Sequence, residues 1–424
     1  DGREYYRMGG LAVSPDGRFA AWSEDTDGSE RFTLRIRDLE NGSTVEGETI
    51  TQTIGAPVWC ADSLSFLYLV LTENWRPNEV RLHRLGTAVA DDVSVYREAD
   101  ESFFVGIDKT TSEAWLVISA SDHVTSESRL LPADDPLAEP RLVAPRRTGH
   151  EYDVDHGQGR FWIRTNDRHV NFRLVSAPES DPGEAQWTEA LAGSDERYLT
   201  GFAAYARCLV TEERHDGLDQ IRIREPDGAE HFVAFPEASY AAGLGSNPEY
   251  DTDFLRIGYE SMVTPGTVYD YPLATRERVV RKVQEIPSGY DASAYETERL
   301  LVPVRDGVRV PVSLVRRRDL GPGPNPLYLY GYGAYGIAME PGFSTARLSL
   351  LDRGFVFAIA HIRGGDDLGY RWYLDGKLDR RTNTFHDFVD VARHLIERGD
   401  TAPGLVTAAG GSAGGELMGA AINE

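Results

Sequence analysis

Residues 410–414 read Gly-Gly-Ser-Ala-Gly, so Ser412 has a glycine two positions before it and another two positions after. The motif lies between the apolar run Leu405-Val406-Thr407-Ala408-Ala409 and a helix-forming stretch at 416–422, the context of a nucleophile elbow. The bend from strand to helix is so tight there that only small residues fit beside the serine, whose hydroxyl is left exposed above the sheet. The amide of Ala413 would point to the same place from a helix N-terminus, where the dipole favours developing negative charge. The chemistry implied is acyl transfer, with the serine attacking a carbonyl carbon and hydrogen-bond donors holding the oxyanion. The alternative is a glycine-rich turn that contains a serine by chance.

A serine hydroxyl attacks poorly until an imidazole removes its proton, and the imidazole needs a carboxylate to orient it. All ten histidines precede Ser412, the last three being His361, His386 and His394, and only twelve residues follow it. In α/β-hydrolase chain order the acid and base come after the serine, so none of these histidines is expected to be the base. His386 and His394 fall on a predicted helix as surface or packing residues, and His361 ends a predicted strand as a structural one. A second glycine motif, Gly331-Tyr332-Gly333-Ala334-Tyr335-Gly336, matches the dinucleotide fingerprint. That fingerprint needs a helix next, and residues 337–342, which include Pro341 and Gly342, will not start one. Neither a phosphate-binding Gly-Lys-Ser/Thr nor a His-Glu-x-x-His zinc motif occurs, so no cofactor and no metal is expected.

The elements that must hold Ser412 begin near residue 286. A hairpin is predicted over 299–304 and 308–315 around Asp306-Gly307, then buried strands at 327–330 and 355–360. A helix follows with apolar residues at 385, 388, 389, 392, 395 and 396, stopped by Gly399 and Pro403. Alternating strands and helices of this kind imply a largely parallel sheet.

Upstream, short apolar runs recur at positions 19, 66, 114, 161, 208 and 255, a step of 47 or 48 residues. Turn-forming residues such as Ser14-Pro15-Asp16-Gly17 precede several of them, and second strands such as Thr33-Leu34-Arg35-Ile36 follow. Units of this length built from short strands are propeller blades, which must stack on neighbours to bury both faces. A β-sandwich or β-helix would explain the strands but not the constant step. The fold expected is an all-β propeller over 1–285, with about six blades and the first incomplete, followed by an incomplete α/β-hydrolase domain over 286–424.

The 424 residues allow two domains with sizeable cores, and no apolar stretch of about 18 residues could span a bilayer. Acidic residues exceed basic ones, 68 against 44, so the summed field repels nucleic acid and anionic membrane and favours cationic ligands. The plainer reading of that excess is a solvated surface. The only two cysteines, Cys60 and Cys208, sit in apolar strand-like runs and are expected in the core, as in a reducing compartment.

Taken together the residues resemble the prolyl oligopeptidase family of serine peptidases, and within it the oligopeptidase B branch. The resemblance covers nearly the whole chain. It is carried by residues 5–10 and 14–16, by Pro145-Arg146-Arg147 before His150-Glu151-Tyr152, and by Val58-Trp59. In the second domain it is carried by 330–336, 347–355, His361-Ile362-Arg363-Gly364-Gly365, 372–377, Asn383-Thr384-Phe385 and 410–415.

The resemblance implies that Ser412 is the nucleophile and that the Tyr332 hydroxyl and the Ala413 amide form the oxyanion hole. It further implies that Tyr335 helps line the pocket for the substrate residue before the cleaved one, with Glu340 as an acidic contact there. The branch has a second acid two residues after Glu340, where this chain has Gly342. Asp366-Asp367 stands where relatives usually show Gly-Glu, and is expected as a charged surface turn. The acid, the histidine base and the acidic pocket for Arg or Lys at the cleavage point are expected largely downstream of Glu424, so this chain alone is expected to be inactive.

The activity implied is a cytoplasmic, cofactor-free oligopeptidase that cuts short cationic peptides after Arg or Lys, without nucleic-acid or membrane partners. Two alternatives stand beside it: a propeller binding scaffold with a dead hydrolase remnant, and an acylaminoacyl peptidase or esterase on the same scaffold.

Overall fold

The six repeated runs become inner strands of antiparallel sheets: Phe19–Asp25, Ser65–Leu71, Trp115–Ser121, Arg160–Thr165, Leu209–His215 and Phe254–Glu260. This is seen in a computed structural model that describes residues 2 and 4–424. Inner strands carry the most apolar residues because both their faces are covered. Four sheets have four strands each. The first has seven, because the 16-residue strand Thr44–Trp59 runs through two repeats.

The chain forms two compact units, the first of residues 1–168, 173–192 and 203–206, the second of the remainder. In the first unit the core of the opening sheet holds Phe19, Leu34, Ile36, Trp59 and Phe66, with the Trp59 and Phe66 rings edge to face at 5.1 Å. Cys60 belongs to this unit and Cys208 to the second; both are buried, and desolvation pushes each thiol up to about 12.

The second unit contains the last two repeats and a five-stranded mixed sheet. Strand order in that sheet is Tyr295–Pro303, Arg309–Arg317, Val356–Ala360, Leu327–Tyr330 and Val406–Ala409. The first pair is an antiparallel hairpin, and the last three strands run parallel. Helices α1 (Thr345–Leu351), α2 (Tyr370–Leu374), α3 (Arg381–Arg398) and α4 (Ala413–Ala421) accompany it. Leu327, Leu329, Val356 and Ala358 pack with Phe388, Val391 and Leu395 of α3 and Leu417 of α4 in one buried cluster. Gly399 ends α3 in the left-handed conformation, as its position in the sequence predicts. After Gly336 no helix begins until Thr345, so the dinucleotide look-alike lacks the helix it would need.

Register decides where the chemistry sits. Tyr330 pairs with Ala409, so the strands Leu327–Tyr330 and Val406–Ala409 end side by side and deliver Tyr332 and Ser412 to one edge of the sheet. Carboxyl ends of parallel strands are where open α/β sheets bind ligands. Among the described residues, no helix is long and apolar enough to cross a membrane.

Candidate active site

Ser412 sits between the strand Val406–Ala409 and α4 with φ 52° and ψ −119°, a conformation that costs a non-glycine residue of order 1–3 kcal/mol. It is exposed, and its side chain makes no capping bond to α4. Ala413 opens α4, so its amide is among the first-turn donors that a helix cannot satisfy internally. The flanking glycines follow from crowding: a Cβ on Gly410 would lie 2.6 Å from the carbonyl oxygen of Gly414 and 2.8 Å from that of Gly331, and neither is free to move. A Cβ on Gly414 would lie 3.7 Å from Cδ2 of Tyr332, so the half-buried Tyr332 ring lies against the first turn of α4.

Two cavities flank this edge. The first, about 360 Å³, is lined by Tyr335, Tyr373, Lys377, Arg381, Ala413 and Glu416 among others. Its lining carries two cations and one carboxylate. Arg381 holds Glu416 at 2.9 Å, and the Lys377 ammonium lies 4.3 Å from the centre of the Tyr373 ring. Tyr335, with φ 58°, is well exposed.

The second cavity, about 560 Å³, holds Glu340 together with Glu212, Asp219, Glu260, Arg214 and Tyr259. Tyr335 and Ala413 therefore meet in one cavity, and Glu340 belongs to the other. Glu340 keeps contact with solvent, yet partial desolvation, followed by the charge of Asp219, pushes its carboxyl above the usual range; Arg214 opposes this and Glu260 adds to it. Burial also raises the Glu212 carboxyl, against a 2.7 Å bond donated by the Leu244 amide. Arg214 is the cation of this cavity, and it is engaged by Asp219 at 3.2 Å and Asp366 at 2.9 Å. At Gly342 an added Cβ would lie 2.2 Å from Oε1 of Glu260, so the Glu260 carboxylate occupies the space a side chain there would take.

The expectation of a surface turn at Asp366-Asp367 is overturned. Asp367 is 5% exposed, accepts a 3.2 Å bond from the Met339 amide and lies 2.9 Å from Nδ1 of His361. Asp366 pairs with Arg214, and burial first, then the Asp367 charge, raise its carboxyl despite that pairing. The physical reason is that the segment after His361 turns inward, anchored by Arg363, whose backbone amide and guanidinium bind the buried Asp387 of α3 at 2.5 to 3.0 Å. Local charge density in the sequence signals exposure; His361 is six residues from Asp367, but the Met339 amide is 28 residues from it and Arg214 is 152 residues from Asp366.

His361 has Ser313 Oγ at 2.8 Å from Nε2, which together with Asp367 imitates a catalytic triad. Ser313 is only 2% exposed and also bonds Ser239 at 2.7 Å, so no carbonyl carbon can reach it. His386 lies on α3, 3.2 Å from the Glu424 carboxylate. Reading the sequence did not find Glu212, Asp219 or Glu260, which come from separate strands and share no local motif with Glu340. Among the described residues, no group of three His, Cys, Asp or Glu side chains is arranged to hold a metal ion.

Residues 1–284 match the family model of the prolyl oligopeptidase N-terminal β-propeller domain, and residues 341–424 match that of the prolyl oligopeptidase family. The chain is 41% identical to dipeptidyl aminopeptidase BI of Pseudoxanthomonas mexicana over its whole length and 58% of that relative's. It is 36% identical to protease 2 of Moraxella lacunata over 95% of its length and 58% of the relative's. The structure of oligopeptidase B from Leishmania major superposes with a TM-score of 0.93 at 32% identity, over all of this chain and 61% of that one. The chain thus spans about three-fifths of the length of these proteins.

Proposed function

Because the chain belongs to the prolyl oligopeptidase family, with a β-propeller leading into an α/β-hydrolase domain, we propose that it carries the nucleophile of a serine peptidase acting on short peptides. Ser412 Oγ attacks the scissile carbonyl as an imidazole takes its proton, and the carbonyl oxygen becomes an oxyanion held by the Tyr332 hydroxyl and the Ala413 amide. Collapse of that intermediate expels the amine and leaves an acyl-serine, which water then hydrolyses. The main support is the backbone of Ser412, strained and exposed between strand and helix beside Tyr332.

The finer reading is a preference for cationic peptides. Glu340, Glu260, Asp219 and Glu212 share a cavity whose one arginine is engaged by Asp219 and Asp366, and uncompensated carboxylates draw cations. Glu340 would contact a basic residue one position before the cleaved residue, with Arg or Lys at the cleavage point, while Tyr335 lines the other cavity with Ala413. The buried thiols of Cys60 and Cys208 fit a cytoplasmic location.

A fluorophosphonate probe on the full-length protein tests the chemistry. Labelling that maps to Ser412 and disappears in Ser412→Ala is expected; an unlabelled folded protein would mean a propeller scaffold instead. Similarity to a dipeptidyl aminopeptidase supports a second reading, in which the same carboxylates receive the α-ammonium of the peptide. Comparing Arg-Arg-aminomethylcoumarin with its N-blocked counterpart separates the two. Blocking should change kcat/KM less than about threefold for an oligopeptidase and lower it more than about tenfold for an aminopeptidase. Faster turnover of Pro- or acyl-ester substrates would point to the third class.

A further inference from the structure

Four buried side chains, 1 to 8% exposed, form an unbroken hydrogen-bonded chain that joins the two walls of the acidic cavity. Ser239 lies two residues before the strand Ala241–Leu244, which lines one side of that cavity. Its Oγ is 2.7 Å from Ser313 Oγ, and Ser313 Oγ is 2.8 Å from His361 Nε2. His361 Nδ1 is 2.9 Å from Asp367 Oδ1, and the same oxygen accepts the Met339 amide at 3.2 Å. The next residue is Glu340.

The direction of the chain follows from donor counting. With one proton on the imidazole, given by Nδ1 to the Asp367 oxygen, Nε2 accepts from the Ser313 hydroxyl. The Ser313 oxygen in turn accepts from Ser239. Every member is then satisfied, and a fully connected buried network fixes geometry because breaking any link strands a polar group.

That rigidity matters because residues 337–344 have no regular secondary structure. Glu340 is placed instead by two anchors, the Met339 amide on Asp367 and the Gly342 carbonyl, which accepts a 2.8 Å bond from Arg347. We propose that Asp367 and His361 are positioning residues for charge recognition, holding the backbone so that Glu340 faces the acidic cavity. The role imitates a triad in appearance and differs in purpose. It rests on the reading of Glu340 as the contact for a cationic substrate residue.

The test uses the full-length protein and two N-blocked fluorogenic dipeptides that end in Arg and differ only in the preceding residue, arginine or its neutral isostere citrulline. The ratio of their kcat/KM values reports charge recognition alone. We expect a ratio of about tenfold or more for the wild type and near unity for Glu340→Gln. Asp367→Asn should lower the ratio at least about fivefold, mainly through KM for the arginine substrate, with no further fall in the Glu340→Gln/Asp367→Asn double variant. A wild-type ratio in Asp367→Asn while Glu340→Gln loses it overturns the positioning role, as does an equal slowing of both substrates. An unchanged ratio in Glu340→Gln overturns the Glu340 reading itself and is the one outcome in which that residue is silent. Should Asp367→Asn not fold, Ser239→Ala, which removes only the far hydroxyl, decides the matter: a fall of about twofold supports the relay and a flat ratio ends it.

Discussion

The two cavities beside the sheet edge share one loop, residues 331–342, and differ in how their charges are settled. Beside Ala413, Arg381 is tied to Glu416 and Lys377 lies over Tyr373, so two cations face one carboxylate and the lining is net positive. Around Glu340, five acidic side chains line the cavity with one cation, Arg214, which Asp219 and Asp366 engage; of the five, Glu213 is also paired with Arg222. On the function proposed above, the difference separates two tasks. Stabilising a developing oxyanion calls for fixed donors without a competing carboxylate, whereas drawing in a cation calls for negative charge left unmatched. The strain at Ser412 and the raised carboxyl of Glu340 are the local signs of each.

Breaking the sheet edge next to the first cavity, at Ser412 and Tyr332, should have the largest effect. Ser412→Ala is expected to lower kcat at least about 10⁴-fold in the full-length protein, with the preference for cationic ligands intact in binding assays. Tyr332→Phe, which removes only a donor, should lower kcat about 10²-fold with little change in KM. Equal losses in kcat and binding for Tyr332→Phe would place the phenol outside the oxyanion hole.

Breaking the second cavity should be milder and selective. Glu260→Gln is expected to reduce kcat/KM about five- to tenfold for a substrate with arginine before the cleaved residue, and less than about twofold for its citrulline counterpart. Gly342→Asp sharpens the comparison. It would add the acid that the resemblance implies at 342, but its side chain must displace the Glu260 carboxylate, so the gain in cationic preference should be much smaller than a free extra charge would give.

The contrast also explains what was readable in the chain of residues. The Ser412 edge that borders the first cavity comes from contiguous motifs, Gly331 to Gly336 and Gly410 to Gly414, whose small residues are imposed by backbone crowding and are visible in any local window. The blades were equally legible, because a step of 47 residues survives every change of detail. The second cavity was not. Glu212, Asp219 and Glu260 are ordinary acids on strands until folding brings them to Glu340, and Asp366-Asp367 looks like a solvated turn until Arg214 and His361 cover it. Local patterns report what the backbone needs; a shared field depends on neighbours that no window contains.

The smallest and most diagnostic effect is on pH dependence. A carboxyl raised above its ordinary range is protonated at a higher pH than its neighbours, so lowering the pH should remove the negative charge of Glu340 and Glu212 before that of ordinary carboxylates. The arginine-over-citrulline ratio should therefore begin to fall above the usual carboxylate range, and Glu340→Gln should flatten that part of the profile. The stability linkage has the opposite sense. Because the folded state holds the proton more tightly, the stability tied to these two groups is full at low pH and is lost as pH rises through their raised values. Urea melts at successive pH values should thus show Glu340→Gln gaining on the wild type as pH increases towards neutrality. A variant that instead loses ground over that range would mean that Glu340 is held by a partner cation and is not available to receive one.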